Sequence, residues 1–284
     1  MVKLIPGSMI YGFARGIAWL SYKFVGKQRK LAFDSLSIAF QQQKSDKELR
    51  EIAKVSFLSM AKSAVELMFL MDRPPELKKR VDFVGKDNLE KALSSGNGVI
   101  LVSAHFGNFP LMMAKLSLEG YQIAGIMRQM RDLRTEKFFL EKRNHMGIQT
   151  IYSQPRKTCV EESIRALRNN SVLFIPLDQN FGTAGVFVNF FGQQAATATG
   201  PVVLAQRTKA AILPCFIVRQ ADDRHKIFFE PPLILVEGKD DRDTILINIQ
   251  RLTDIIETYI RKYPAEWGWV HRRWKSKPSK EEGV

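Results

Sequence analysis

Gly98-Val99-Ile100-Leu101-Val102-Ser103-Ala104-His105-Phe106-Gly107-Asn108-Phe109-Pro110-Leu111-Met112 is the stretch on which the reading of this chain turns. Four apolar residues in succession, three of them β-branched, make a short strand buried on both faces, as a parallel sheet requires. Ala104 to Phe109 forms its exit turn. Pro110 opens a helix, because a proline in the first turn loses no needed N–H. A strand–turn–helix unit sets His105 at the carboxyl end of a strand, where open α/β sheets gather their sites. Gly107 lets backbone approach a ligand closely, and the Asn108 side chain suits a helix cap or an oxyanion. A histidine in such a turn serves structure as often as chemistry.

The same texture continues on both sides. VDFVG, GVILVS, QIAGIM, IQTIY, SVLFIPL, AAILPCFIV and KIFFEPPLIL alternate with helical stretches near 88–95, 110–119, 133–146, 157–169, 200–208 and 243–263. Strands alternating with helices predict an α/β fold with a mostly parallel central sheet flanked by helices. Upstream, Ser45-Asp46-Lys47-Glu48 has the form of a capping box. It opens a helix running to about Leu70 that buries Leu49, Ile52, Val55, Phe57, Met60, Ala64 and Leu67. Asp72-Arg73-Pro74-Pro75 ends that helix. The expected division is a helical N-terminal section over 1–76 and an α/β domain over 77–284.

With 45% hydrophobic and 25% charged residues, the 284-residue chain can bury a substantial core. Cys159 and Cys215 stand far apart, which supports neither a disulfide framework nor a zinc site and fits a reducing compartment. The 43 Lys and Arg against 29 Asp and Glu leave a net charge of +14. That surplus calls for an acidic partner: a protein or substrate, an anionic membrane surface, or nucleic acid. No zinc-finger spacing or RNA-binding aromatic signature is present, so nucleic acid is not expected. Residues 8–26, SMIYGFARGIAWLSYKFVG, stack Ile10, Phe13, Ile17, Leu20 and Phe24 on one helical face. Arg15, Trp19 and Tyr22 fall opposite, with Lys23 on the flank. Two cations argue against a spanning helix and favour one lying in the membrane interface. The alternative is a helix buried on the domain.

Three further groups could carry chemistry. In Pro176-Leu177-Asp178-Gln179-Asn180-Phe181-Gly182, Asp178 again follows an apolar strand; the alternative is an aspartate capping a turn. The following GVFVNFFG could form an apolar, partly mobile wall for a hydrophobic substrate. Arg128, Arg131, Arg134 and Arg143 straddle a strand exit and the next helix, and their forks suit phosphate or carboxylate, although a solvated helix face explains some of them. Glu266-Trp267-Gly268-Trp269-Val270-His271-Arg272-Arg273-Trp274-Lys275 interleaves aromatics with cations, suiting either a membrane interface or a segment packed on the domain.

HFGN after a strand, LDQN with GVFVNFFG, Thr197 and Thr199-Gly200-Pro201, and the closing WGWVHRRWK resemble, in that order, the bacterial lipid A biosynthesis acyltransferases. KLAFDSLSIAF and the 47–70 helix extend the resemblance over nearly the whole chain. It implies a fold like that of the glycerol-phosphate acyltransferases, working on the cytoplasmic face of the bacterial inner membrane. The implied reaction moves a fatty acyl chain from acyl carrier protein or coenzyme A to a glycolipid hydroxyl, with no metal or bound cofactor. His105 matches the family's histidine and Asp178 its aspartate. Where the family has Glu or Asp five positions after the histidine, this chain has Pro110. His105 is therefore the expected general base, with Asp178 standing in for the missing acid. Arg128 and Arg143 resemble arginines that hold the thioester or the phosphorylated acceptor, and Asn108 and Gln179 complete the expected substrate-binding set. Arg143 or Asn108 could hold the oxyanion. Two alternatives remain: a catalytically impaired relative that binds lipid or acyl donor, and a basic membrane or nucleic-acid binding module.

Overall fold

The computed structural model describes residues 9–40 and 43–278. Helices α1 (Ile10–Phe24), α2 (Gly26–Phe40), α3 (Asp46–Leu70) and α4 (Pro74–Arg80) lead into β1 (Val81–Val84), α5 (Lys86–Leu93), β2 (Val99–Ser103) and α6 (Phe109–Leu118). Then come β3 (Ile123–Met127), α7 (Leu133–His145), β4 (Ile148–Tyr152), α8 (Arg156–Arg168) and β5 (Val172–Pro176). A hairpin of β6 (Val186–Phe190) and β7 (Gln193–Thr197) precedes α9 (Gly200–Thr208), β8 (Ala211–Arg219), β9 (His225–Phe229) and α10 (Asp241–Lys262).

The central sheet has seven strands in the order β1-β9-β8-β2-β5-β3-β4. The stretch from β8 to β4 is parallel throughout, and β9 with β1 runs the other way at one edge. β2 lies near the middle, with all five of its residues buried. Its pleat divides the core. Val99 and Leu101 face one layer with Ile10, Leu70 and Leu111, whereas Ile100 and Val102 face the other with Leu204, Phe216 and Ile256.

Helix α3 joins the two layers. Its capping box forms as read: Ser45 N–H donates to Glu48 Oε2 at 2.8 Å, and the Ser45 hydroxyl accepts from Glu48 N–H at 3.4 Å. The first half of α3 gives Leu49, Ala53 and Phe57 to one layer, and the second half gives Val65, Phe69 and Leu70 to the other. The expected stripe was partly misplaced, because Val55 and Ala64 are exposed. A helix that packs on two layers in turn rotates its buried stripe along its length, so a single-face periodicity fails.

Helix α1 departs from its predicted face for a related reason; residue 8, the first of the expected segment, lies outside the described residues. Ile10, Ala14 and Ala18 form the buried stripe, and Tyr22, expected on the polar side, meets Phe57 of α3 edge-on at 5.4 Å. The small alanines permit close approach to α3. Leu20 and Phe24, read on the apolar face with Ile10, are exposed together with Trp19. Among the described residues no helix is long and apolar enough to cross a membrane. The GVFVNFFG segment forms the β6 strand and the turn of a hairpin with β7. Phe190 and Phe191 are buried, with Phe190 stacked on Trp274 and edge-on to Trp267.

A buried ionic cluster ties α1, α3, β8 and β9 to the β2 exit. The Glu66 carboxylate accepts from both terminal nitrogens of Arg219, from Tyr11 Oη at 2.9 Å and from Asn108 Nδ2 at 3.0 Å, and His225 Nε2 lies 3.1 Å away. Burial pushes the Glu66 pKa up, but the His225 and Arg219 contacts outweigh it and bring it from 4.5 down to about 2. Ionised Glu66 therefore contributes stability above pH 4.5 that is lost as pH falls toward 2. Glu66→Ala, which leaves buried Arg219 only Ser63 and the longer contact to Asp223, is expected to cost about 3–5 kcal/mol. Urea denaturation across an acid pH series should show that loss at neutral pH and a flatter acid dependence in the variant.

Candidate active site

Parallel pairing of β2 with β5 builds the site. Ser103 is in register with Pro176, so His105 and Asp178 each lie two residues beyond a matched pair, on the same edge of the sheet. His105 Nδ1 is 2.8 Å from Asp178 Oδ1. The other carboxylate oxygen accepts from the Trp267 indole N–H at 2.7 Å. Asp178 is fully buried, whereas 32% of the His105 side chain remains exposed. One end of the imidazole is thus anchored in the protein and the other faces a pocket.

The electrostatics follow from that asymmetry. Burial raises the Asp178 pKa, yet the His105 and His271 charges and the His105 and Trp267 hydrogen bonds hold it well below the ordinary carboxylate range. Burial lowers the His105 pKa, but the charge and hydrogen bond of Asp178 win and leave it above 6.5. A hydrogen on Nδ1 satisfies Asp178 and leaves the Nε2 lone pair outward. Gln179 Nε2 lies 3.2 Å from that nitrogen and is its donor in this tautomer.

The turn carrying His105 is held from two sides. Gly107 N–H donates to Glu266 O at 2.8 Å, and Gly268 N–H to His105 O at 3.2 Å, so residues 105–107 pair with 266–268. Gly107 has φ +56° and packs so closely on β8 that a Cβ would stand 2.1 Å from Ile217 O. Its glycine is needed by this packing. From the other side, Asn108 Nδ2 donates to Ser63 O at 3.2 Å and to Glu66. Asn108 is buried and makes no side-chain cap of α6, and Pro110 stands in the first turn of that helix as read. The pocket in front of His105 holds about 350 Å³ and is lined by Met60, Leu67, Phe109, Pro110, Val270 and His271 among others.

The expected residues divide into two groups. His105, Asp178, Gln179 and Asn108 come together. Arg128 follows β3, one strand beyond Asp178, and is exposed. Arg143 is tied by Nη2 to Glu136 at 2.7 Å and by Nε to Thr150 at 2.8 Å. Neither arginine lines the pocket. The closing WGWVHRRWK packs on the domain, with Trp267, Trp269 and Trp274 buried. Two residues of this segment, read only as part of an aromatic and cationic run, brace the site. Trp267 completes the Asp178 carboxylate, and buried Arg273 donates to Gln179 O at 3.3 Å and Ala196 O at 2.6 Å, bracing the β5 exit. Burial, partly offset by Asp178, lowers the Arg273 pKa to about 10. Tryptophans and arginines bunched in an otherwise irregular segment were the signal available.

Comparison with known proteins places the whole chain among acyltransferases by similarity. The family model described as bacterial lipid A biosynthesis acyltransferase matches residues 1–276. The lipid A biosynthesis palmitoleoyltransferase of Escherichia coli (strain K12) is 25% identical over 99% of this chain and 89% of its own length. The lauroyltransferase of the same organism is 24% identical over 100% and 90%. A phosphatidylinositol mannoside acyltransferase of Mycobacterium tuberculosis (strain CDC 1551 / Oshkosh) is 26% identical over 70% and 62%. A solved 1-acyl-sn-glycerophosphate acyltransferase from Thermotoga maritima is a distant likeness, with a TM-score of 0.41 and 12% identity over 93% of this chain and 99% of that one.

The pairing makes a signed prediction. His105 is expected to titrate above 6.5 in the native protein and below it in Asp178→Asn, where burial acts alone. Histidine ring NMR across pH measures both; an unmoved value would show that Asp178 does not set the base.

Proposed function

As this chain belongs to the bacterial lipid A biosynthesis acyltransferase family, we propose that it moves a fatty acyl chain from a thioester of acyl carrier protein or coenzyme A to a hydroxyl of a lipid A precursor or similar glycolipid. The observation that carries the mechanism is the buried Asp178 carboxylate 2.8 Å from His105 Nδ1. His105 Nε2 takes the acceptor hydroxyl proton while the oxygen attacks the thioester carbonyl carbon. A C–O bond forms, the carbonyl becomes an oxyanion, and Asp178 stabilises the imidazolium. Collapse breaks the C–S bond, and the leaving thiolate takes the proton from Nε2. No metal or cofactor enters this scheme.

The incoming hydroxyl displaces Gln179 from Nε2, leaving its amide to donate to substrate. Arg128, exposed on the same sheet edge, suits an anionic group of either substrate. Asn108, whose amide is engaged by Ser63 and Glu66, and Arg143, held by Glu136 and Thr150, support the site by holding the segments around it. The apolar side chains of the pocket suit the acyl end of the donor. Trp19, Leu20 and Phe24, exposed beside Arg15 and Lys23 on α1, suit an anionic bilayer surface at the cytoplasmic face of the inner membrane.

Pro110 supports a second reading, in which the chain is an impaired relative that binds lipid or acyl donor without turnover. One assay separates the two. Purified protein with acyl carrier protein or coenzyme A thioesters of several chain lengths and a lipid A precursor in detergent is expected to yield an acylated glycolipid by mass spectrometry. His105→Ala should abolish the product in a chain that still folds by circular dichroism, with a lowered thermal transition because buried Asp178 loses one partner. Asp178→Asn should lower kcat about 10⁴-fold. The acid limb of kcat/KM should report a pKa above 6.5. No product from any donor, despite tight donor binding, would favour the impaired relative. Trp19→Ser with Phe24→Ser should weaken co-sedimentation with anionic vesicles severalfold.

A further inference from the structure

A second pocket of about 340 Å³ lies beside the catalytic one and has no part in the mechanism above. It is lined by Lys27, Lys30, Leu31 and Asp34 of α2 and by Val270 and Arg272 of the C-terminal segment, with Gln28 completing the wall. Val270 lines both pockets. The next two residues divide between them, His271 toward the catalytic pocket and Arg272 toward the basic one.

The charges here are unbalanced. Lys30 is paired with Asp34 at 3.0 Å. The side chains of Lys27 and Arg272 make no hydrogen bond or ion pair among the described residues. Two unpaired cations facing one concavity repel each other, and an anion between them relieves that repulsion. A guanidinium fork beside an ammonium suits phosphate, which takes one from each side. The concavity is sized for a headgroup rather than for a protein surface. Its rim is amphiphilic: Lys27 follows the exposed Phe24 and Val25 at the end of α1, with Trp19 and Leu20 one turn back. Apolar surface leads to these two cations, and their pocket shares Val270 with the one that holds His105. A lipid with an anionic headgroup matches that sequence.

We propose that the pocket formed by Lys27, Lys30 and Arg272 holds the phosphate of the lipid acceptor while a hydroxyl of the same headgroup reaches His105. This rests on the acyl-transfer reading for the identity of the lipid, and it makes α2 and Arg272 the determinants of acceptor choice.

The test is a binding measurement, so that it stands apart from turnover. In a His105→Ala background, a monophosphorylated glucosamine lipid and its phosphatase-treated counterpart are titrated in non-ionic micelles against the full chain, Lys27→Gln, Arg272→Gln and the double variant. Circular dichroism and the thermal transition confirm folding. The full chain is expected to prefer the phosphorylated lipid, and that preference should fall about 2- to 5-fold for each cation removed, the range for a solvent-exposed ion pair. Equal binding of the two lipids by the full chain, or a preference kept in the double variant, would overturn the proposal. So would variants that instead lose only acyl carrier protein, or lose phosphatidylglycerol vesicles to the same degree as the acceptor; these results would assign the cations to the donor protein or to the bulk membrane. Selective binding without any acyl transfer by the unmutated chain would uphold the pocket and sink the transfer reading alone.

Discussion

Asp178 is a carboxylate with no exposed side-chain surface, and a buried charge is tolerable only when each oxygen is compensated. One oxygen meets His105 and the other meets the Trp267 indole. This requirement draws three distant parts of the chain to one point: the β2 exit, the β5 exit and the segment after α10. The same contacts that keep the carboxylate ionised also fix the ring, its tautomer and its basicity. Stability and chemistry share one set of hydrogen bonds here, so neither can be altered without the other.

Helix α3 is the second constraint. By serving both core layers it passes the catalytic edge of the sheet, where Ser59, Met60, Ser63 and Leu67 form the back of the pocket. Its Ser56 hydroxyl donates to Trp267 O at 2.9 Å, and Glu66 holds Asn108. The N-terminal helical section therefore supplies a wall of the candidate site and the brace of its loop. A boundary near residue 76 is visible in the chain's texture, but the site is built across it.

Pro110 takes its meaning from this arrangement. A carboxylate five residues after the histidine would come from the first turn of α6. Here the carboxylate on His105 comes from the neighbouring strand, and α6 begins with a proline whose missing N–H costs nothing at that position. In the proposed mechanism Asp178 meets the orienting requirement that the local motif leaves open, and Glu66 anchors the loop from the opposite side.

What the amino-acid sequence determined by itself was the local grammar. Apolar runs bounded by turns, capping signals and a proline in a first turn placed nearly every strand and helix of the α/β region within a few residues. They also put His105 and Asp178 at strand exits, because those signals act over one or two turns of chain. Only the tertiary structure decided which groups meet. His105 and Asp178 are 73 residues apart and Trp267 lies 89 beyond Asp178, and such pairs are set by strand order and by packing against two core layers. The same packing engaged the amide of Asn108, tied Arg143 to Glu136 and Thr150, buried Phe190 and Phe191 and turned Tyr22 inward. Each of these outcomes is a competition among distant neighbours for the same surface or the same proton, and local periodicity carries no record of which neighbour wins.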